Sequence, residues 1–216
     1  VLVFTAFAVF AQELKPVEAP VALSPSSAGD QSPAKVDTGD TAWILISSAL
    51  VLLMTPGLAF FYGGMVGRKN VLGILMQSFT ILCVISIQWV LFGYSLSFAP
   101  GNSFWGGLDW LGLKGVGFMP YKDYAATIPH QLFMVFQMMF AIITPALMIG
   151  SFTGRMKFSA FLIFMVLWAS FVYDPVCHWV WGVGGWLKEL GALDYAGGTV
   201  VHINAGIAAF MIAVFI

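Results

Sequence analysis

Charged side chains are scarce in this sequence of 216 residues: Asp, Glu, Lys and Arg make up only 9% of it. A soluble domain carries about 25% charged residues, so this chain cannot cover a water-facing surface and an ordinary soluble fold is excluded. A net charge of −1 at pH 7 excludes a protein that binds nucleic acid through a basic surface. Cysteine is also scarce. Cys83 and Cys177 lie in apolar runs and are interpreted as small buried residues, not as a disulfide scaffold.

What the sequence has instead is apolar length, with 60% hydrophobic residues. Its charge-poor runs reach the roughly 20 residues that a helix needs to cross a bilayer. A membrane barrel would show alternating strands of about 10 residues, so the predicted fold class is an all-α integral membrane protein. The predicted membrane helices occupy about 41–67, 71–98, 129–150, 158–181 and 194–216, and 99–128 is expected to be a folded outer loop with room for a short helix.

The two ends of the chain differ from its middle. Residues 1–11 are apolar and end in small residues, which predicts the remnant of a signal peptide; a short uncleaved anchor is the alternative. Residues 12–40 are rich in Pro, Ala, Ser and acidic residues, which predicts a flexible exported tail. The membrane domain is assigned to 41–216. Because no charge occurs in 205–216, we expect the natural chain to continue beyond this run.

The short connections between the predicted helices set an expected orientation. Arg68 and Lys69 join the first two spans, and Arg155 and Lys157 join the third and fourth. Neither connection contains an acidic residue, and basic residues in short loops favour the cytoplasmic side. We therefore expect both connections in the cytoplasm and the N-terminus outside the cell.

Two ionisable residues near the last span are candidate functional groups. His202 lies eight residues beyond the expected outer start of that span, or about 12 Å into the bilayer. An ionisable group at that depth is costly and usually faces a pathway, although a hydrogen bond to a neighbouring helix is an alternative. Asp194 is predicted to share a helix face with His202 and to cap the start of the helix. A structural cap and a carboxylate that favours a nearby cation are compatible roles for it.

Three aromatic residues lie near the expected outer ends of their spans. Trp181 ends the fourth span, and Phe136 and Phe140 are one turn apart on the third. An interfacial tryptophan is typically a belt anchor, and a phenylalanine stripe typically packs or faces lipid, so both of these alternatives stay open. Aromatic faces also attract a desolvated monovalent cation by about 1–2 kcal/mol each.

The remaining polar residues form no recognisable catalytic or metal-binding motif. The sequence lacks the spacing of a metal site, a Ser–His–Asp or Cys–His catalytic group, or a phosphate loop. No catalytic residue, metal or cofactor is therefore predicted, and the protein is not expected to be an enzyme. His130 and His178, near outer ends, are interpreted as hydrated or capping. Asp174 has no predicted role beyond that of a hydrogen-bond acceptor.

Three segments carry a more specific signal. They are Leu53–Gly64 (LMTPGLAFFYGG), Asp174–Gly182 (DPVCHWVWG) and Gly191–Ala205 (GALDYAGGTVVHINA). The chain resembles the ammonium transporter family (Amt/Mep/Rh) in these segments, and the likeness extends over about 38–216. Two departures are Cys177, at a position that is often Ala in the family, and the length of the predicted tail.

The resemblance implies a fold and its partners. Family members have eleven membrane helices, of which the first five and the next five form an inverted repeat. This chain would therefore hold the first repeat, or about half of a pore wall. The resemblance also implies ammonium and ammonia as the transported species, a homotrimer in the plasma membrane or bacterial inner membrane, and room for a cytoplasmic regulatory protein. No nucleic-acid partner is expected.

Roles for the candidate residues follow from the same resemblance. Phe136 and Trp181 resemble aromatic residues of an outer ammonium-recruitment site, and Phe140 resembles a phenylalanine gate. His202 resembles the first of two pore histidines, and Asp194 resembles an acid needed for transport. The expected function is a transporter subunit that recruits ammonium, deprotonates it and conducts ammonia, with 1–216 inactive alone. An ammonium sensor that shares this domain and a structural membrane protein without transport are the alternatives.

Overall fold

The computed structural model describes residues 35–216. The predicted signal-peptide remnant and most of the predicted tail lie outside this range. Five helices within it are long and apolar enough to cross a membrane, which agrees with the predicted all-α membrane fold. The helices are α1 (Thr38–Met65), α2 (Arg68–Phe98), α3 (His130–Phe152), α4 (Phe158–Trp181), the short α5 (Trp186–Glu189) and α6 (Gly198–Phe215).

The first helix begins three residues before its predicted start, because Asp37 caps it. The Asp37 side chain accepts a hydrogen bond from the backbone N–H of Asp40 at 2.8 Å. The hydroxyl of Thr41 donates to the Asp37 carbonyl oxygen at 2.6 Å. A cap of this kind satisfies amide groups that have no partner in the first turn. Polar composition alone had extended the predicted tail to residue 40.

Three of the long helices contain a stretch of π-helix. These stretches are Trp89–Gly93 in α2, Ala169–Tyr173 in α4 and Gly198–Ile203 in α6. π-Helical turns are rare and occur frequently at functional sites. Those of α2 and α4 lie beside a buried hydrogen bond, in which Gln88 Nε2 donates to Asp174 Oδ2 at 2.6 Å. This bond ties the two helices together at the level of their irregular turns.

The segment between α2 and α3 is a folded loop, as predicted, but it also contains strands. β1 (Pro120–Tyr121) and β2 (Ala125–Pro129) pair in an antiparallel ladder. A single 3₁₀ turn, Leu111–Leu113, is the helical element of the loop. The aromatic side chains of this loop pack on α2; Trp110, for example, stacks on Tyr94 with ring centroids 5.5 Å apart. The loop therefore forms a fixed surface over one end of the bundle.

Helix α3 lies at the centre of the bundle. About 61% of its most apolar stretch is buried, against 17% for α1 and for α6. It packs against α1 and α2, and the fully buried rings of Trp89 and Tyr173 lie in the same core. Apolar faces of α1 and α6 that remain exposed are compatible with lipid or with further protein, since neither requires a polar surface.

One expected core residue lies elsewhere. Cys177 is fully buried, as predicted, but Cys83 is exposed on α2 and the prediction for it is wrong. In a membrane helix the positions that face outward are as apolar as those that face the core. Apolar neighbours in the sequence therefore do not indicate burial.

Candidate functional site

The predicted aromatic residues meet at one cavity, here called the aromatic cavity. Its volume is about 300 Å³, and Phe136, Phe140 and Trp181 all line it. Helix α3 contributes the two phenylalanines, and α4 ends at the tryptophan. The other lining residues are Phe98, Asp123, Tyr124, Phe133, Gln137, Lys188, Tyr195 and Ala196.

Edge-to-face contacts hold the three predicted rings in place. Phe136 and Phe140 have ring centroids 5.1 Å apart and planes at 86°, because residues four apart share one face of a helix. Phe140 and Trp181 lie 6.2 Å apart at 70°. Contacts of this geometry contribute about 1 kcal/mol each beyond burial. The rings therefore present fixed faces and edges to the cavity.

Asp194 organises the chain that leads into α6. Its Oδ1 accepts a hydrogen bond from the N–H of Gly198 at 2.8 Å, and its Oδ2 accepts from Thr199 at 2.8 Å and Val200 at 3.1 Å. These amides begin the helix and have no partner within it. The Asp194 carbonyl oxygen accepts from Trp181 Nε1 at 2.8 Å. One residue thus joins the start of α6 to a ring of the aromatic cavity.

The prediction that Asp194 shares a helix face with His202 is wrong. Helix α6 begins only at Gly198, and Gly197 before it has a φ of 78°, in the left-handed region that favours glycine. A Cβ at Gly197 would also lie 2.7 Å from Cγ2 of Val201. Asp194 therefore precedes the helix and reaches it only through hydrogen bonds to its first amides.

A second cavity, here called the His202 cavity, shares Phe140 with the aromatic cavity. Its volume is about 380 Å³, and His202 is its one titratable lining residue in the described part of the chain. The other lining residues are Met54, Gly57, Leu58, Phe61, Phe140, Ile143, Leu147, Ala196 and Val201. Phe140 and Ala196 line both cavities. Phe140 is therefore a shared wall between an aromatic and an almost wholly apolar space.

His202 itself is held only through its backbone. It lies in the π-helical turn of α6, where its N–H donates to the Gly197 carbonyl oxygen at 2.9 Å. The side chain is exposed, and within residues 35–216 no hydrogen bond holds the imidazole. The alternative of a histidine bonded to a neighbouring helix has no partner in this range.

Five polar residues of the aromatic cavity were not anticipated from the sequence: Asp123, Tyr124, Gln137, Lys188 and Tyr195. A signal existed for Gln137, a lone amide in an apolar span, whose buried Oε1 has no hydrogen-bond partner in the described residues. Asp123 and Tyr124 are in the loop before α3, and Lys188 is in α5, so only packing brings them to the cavity. Burial raises the pKa of Tyr124, so its hydroxyl carries no charge at neutral pH.

The two remaining histidines are buried, whereas the first of their two predicted interpretations, hydration, requires exposure to solvent. The ring nitrogens of His178 lie 3.0 Å and 2.8 Å from the carbonyl oxygens of Ser97 and Asn102, and its side chain is fully buried. The bond to Ser97 falls in the last turn of α2, in keeping with a capping contact. His130 is buried against Tyr94, with Nε2 2.6 Å from the hydroxyl oxygen. Among residues 35–216 no group of three His, Cys, Asp or Glu could hold a metal ion.

Within residues 35–216, five helices of membrane-spanning length define a polytopic membrane protein, and two of its cavities share the Phe140 side chain. The ammonium transporter family model matches residues 42–216. An ammonium transporter from Bacillus subtilis is 62% identical over 176 residues, which cover 82% of this chain and 43% of the relative. The chain belongs to the ammonium transporter family, and its membrane helices correspond to the N-terminal half of that fold.

Solved structures agree with this assignment. The crystal structure of Candida albicans Mep2 matches with a TM-score of 0.75 and 40% identity, over 81% of this chain and 38% of that one. A structure described as a sensor Amt protein matches with a TM-score of 0.70 and 25% identity, over 79% of this chain and 42% of that one. The chain thus spans less than half the length of the relatives it matches. The curated relatives are named as transporters, not as enzymes.

Proposed function

We propose that the complete protein transports ammonium across a membrane, with the aromatic cavity as its recruitment site. The observation that carries this proposal is the shared wall at Phe140. It separates a cavity of aromatic faces, where a cation is stabilised, from an apolar cavity, where a cation is not. Each aromatic face contributes about 0.5–2 kcal/mol to cation binding, and Phe136 and Trp181 supply such faces.

The proton separates from the cation at this wall. An ion within the apolar part of a membrane protein is penalised by several kcal/mol, whereas neutral ammonia is not. Ammonium therefore gives its proton to a water molecule on the outer side before it passes Phe140, which acts as a gate, and the resulting hydronium ion returns to the outer solution. Ammonia then crosses the His202 cavity, where the imidazole offers one nitrogen as a hydrogen-bond donor or acceptor. Asp194 supports recruitment indirectly, since it fixes Trp181 and the start of α6.

The described helices supply only one side of this route. His202 and the apolar lining of its cavity face outward from the described part of the bundle, so a complete pathway needs further protein opposite them. We infer that this is the second half of the family fold, in a homotrimer that also contacts a cytoplasmic regulatory protein. Residues 1–216 expressed alone should accordingly show no methylammonium uptake above a vector control.

Orientation belongs to the same proposal. The aromatic cavity faces the outside of the plasma or bacterial inner membrane, and Arg68 and Lys69 face the cytoplasm. Cysteine introduced in place of Lys35 should react with an impermeant reagent in intact cells, and cysteine in place of Lys69 should not. Exposed Cys83 must first be replaced by serine. Labelling at 69 but not at 35 would overturn the orientation.

The decisive experiment replaces His202 with Gln in the protein expressed from its complete gene. Glutamine keeps a polar side chain of similar size, so a packing residue should tolerate it. We expect expression and assembly near the unsubstituted level and a clear loss of methylammonium uptake or a change in ion selectivity. The matched control is Met211→Leu, at an exposed position of the same helix. Unchanged rate and selectivity for His202→Gln would assign His202 to packing.

A sensor is the second candidate, because a structure described as a sensor Amt protein shares this fold. A sensor would bind ammonium at the aromatic cavity without net flux. Uptake of labelled methylammonium by reconstituted liposomes, measured beside equilibrium binding, separates the two. Saturable binding without uptake would favour the sensor.

A further inference from the structure

One fixed positive charge lines the aromatic cavity. Lys188 lies in α5, and its Nζ donates a hydrogen bond to the carbonyl oxygen of Trp181 at 3.0 Å. The same Nζ lies 5.6 Å from the centre of the Tyr124 ring, within the range of a cation–π contact. A primary ammonium group is therefore held at the rim of the cavity by a carbonyl oxygen and an aromatic face.

The aromatic platform under this ammonium group is itself fixed. The Tyr124 hydroxyl donates to the Phe98 carbonyl oxygen at 2.7 Å and accepts from the N–H of Val183 at 2.8 Å. The Tyr124 ring also stacks on Phe133 with centroids 5.3 Å apart. Lys188 thus has a defined position, although the side chain is exposed to solvent at the rim.

The surroundings of Lys188 match those that a recruited cation needs. An ammonium ion and a lysine ammonium group both donate hydrogen bonds, and both are attracted by aromatic faces. Two such charges in one cavity of about 300 Å³ repel each other. Asp123 lines the same cavity and has the opposite sign, and these two are the charged side chains among its described lining residues.

We propose that Lys188 and Asp123 set the affinity with which the aromatic cavity recruits a cation. This inference rests on the proposed function of that cavity. Lys188 weakens recruitment by repulsion, and Asp123 offsets part of that repulsion. With the two charges balanced in this way, the cavity binds the cation weakly enough to release it past Phe140. Lys188 is an affinity-determining residue on this account, because its charge acts on any cation at the entrance.

A purely structural role for Lys188 predicts a different result for cation affinity. Its bond to the Trp181 carbonyl satisfies an acceptor at the end of α4, where no further turn of helix follows. If that were its whole role, any side chain that donates a hydrogen bond would replace it. Affinity for the cation, and the dependence of that affinity on ionic strength, would then be unchanged.

The test is methylammonium uptake by the protein expressed from its complete gene, as a function of substrate concentration at low and high ionic strength. Lys188→Gln removes the charge and keeps a donor, whereas Lys188→Arg keeps the charge. At an effective dielectric constant of about 40 and a separation of about 8 Å, one unit charge changes a binding constant roughly fivefold. We expect Lys188→Gln to lower the half-saturating concentration roughly fivefold at low salt and by less at high salt.

Three further variants complete the design. Lys188→Arg should behave as the unsubstituted protein, and Asp123→Asn should raise the half-saturating concentration. Lys114→Gln removes a positive charge from the loop between α2 and α3, outside the cavity, and should have no effect. A half-saturating concentration for Lys188→Gln within twofold of normal, or an equal change for Lys188→Arg, would overturn the inference while leaving transport intact. Absence of uptake by the unsubstituted protein would instead overturn the proposed function, and the inference with it.

Discussion

Two histidines of this protein occupy opposite surroundings. His178 is fully buried, and both of its ring nitrogens face backbone carbonyl oxygens of Ser97 and Asn102. His202 is exposed beside an apolar cavity, and no hydrogen bond within residues 35–216 holds its ring. We call these surroundings the His178 core and the His202 wall. The first has every feature of a structural residue, and the second has the features of a residue that awaits a ligand or further protein.

The comparison teaches that a place in a membrane helix does not by itself identify a functional residue. Both histidines belong to membrane helices, and both are ionisable groups of the kind that a bilayer penalises. What differs is the hydrogen bonding of the two rings. Both ring nitrogens of His178 lie within hydrogen-bond distance of backbone carbonyl oxygens, whereas no hydrogen bond within residues 35–216 involves the His202 ring. Substitutions in the His178 core should therefore act on stability, and substitutions at the His202 wall should act on transport.

The largest expected effect tests the core. His178→Ala leaves the carbonyl oxygen that accepts from the ring N–H without its donor and opens a cavity in place of a fully buried ring, which together cost about 4 kcal/mol. We expect little folded protein in detergent and a strongly lowered thermal midpoint. A His178→Ala protein that unfolds within a few degrees of the unsubstituted one would break the comparison.

A pair of glycine substitutions tests the same contrast through the backbone. Gly185→Ala places a Cβ against the His178 carbonyl oxygen, and the overlap should destabilise by about 2–3 kcal/mol. Gly206→Ala on α6 meets no atom within 4 Å and should be neutral or stabilise by up to about 1 kcal/mol through helix propensity. Thermal unfolding of both variants in the same detergent measures the difference. Equal midpoints would contradict it.

Variants of Asp194 should show whether it acts through its hydrogen bonds to the first amides of α6 or through its negative charge. Asp194→Ala removes the acceptor of three amides and should cost about 2 kcal/mol together with transport. Asp194→Asn can still accept hydrogen bonds and should retain part of both stability and uptake. Parallel thermal and uptake measurements decide this. If Asn were as damaging as Ala, the negative charge would be the essential property.

Trp181→Phe sharpens the role of the aromatic cavity. It keeps an aromatic face but removes the hydrogen bond from Nε1 to the Asp194 carbonyl oxygen, which is worth about 1 kcal/mol. We expect the half-saturating concentration for methylammonium to rise roughly fivefold with a small loss of stability. Trp181→Leu, which also lacks the face, is the matched control and should be worse. Equal behaviour of Phe and Leu would argue against cation–π recruitment.

The smallest expected effect completes the comparison. His202→Ala should change the free energy of unfolding of residues 1–216 by less than about 0.5 kcal/mol, because the exposed ring holds nothing in the described range. The measurement is the thermal midpoint in detergent, taken beside that of His178→Ala. A shift as large as that of the core variant would show that His202 is a packing residue.

Much of this architecture was predictable from the sequence, for reasons that act locally. A bilayer admits helices of about 20 apolar residues, so apolar length alone placed the membrane helices to within a few residues. Phe136 and Phe140 are one turn apart, so their shared face followed from helix geometry. The side chain of Asp194 before a glycine-rich start predicted a cap, and three amides are indeed bound to it.

Other features were decided only by tertiary structure, since they join residues far apart in the chain. The shared wall at Phe140 exists because α3, α6 and α1 pack around it, and Lys188 reaches the aromatic cavity because α5 folds back beside Trp181. Two predictions from local patterns were wrong: helical spacing placed Asp194 on the last membrane helix, and apolar neighbours placed Cys83 in the core. Spacing along the chain predicts which side chains share a helix face over one or two turns. Contacts between residues dozens of positions apart depend instead on how the helices pack. Apolar length and motif residues were therefore enough to predict five membrane helices within the described range and membership of a recognisable family, whereas helix packing determined which polar groups are buried and which face a cavity.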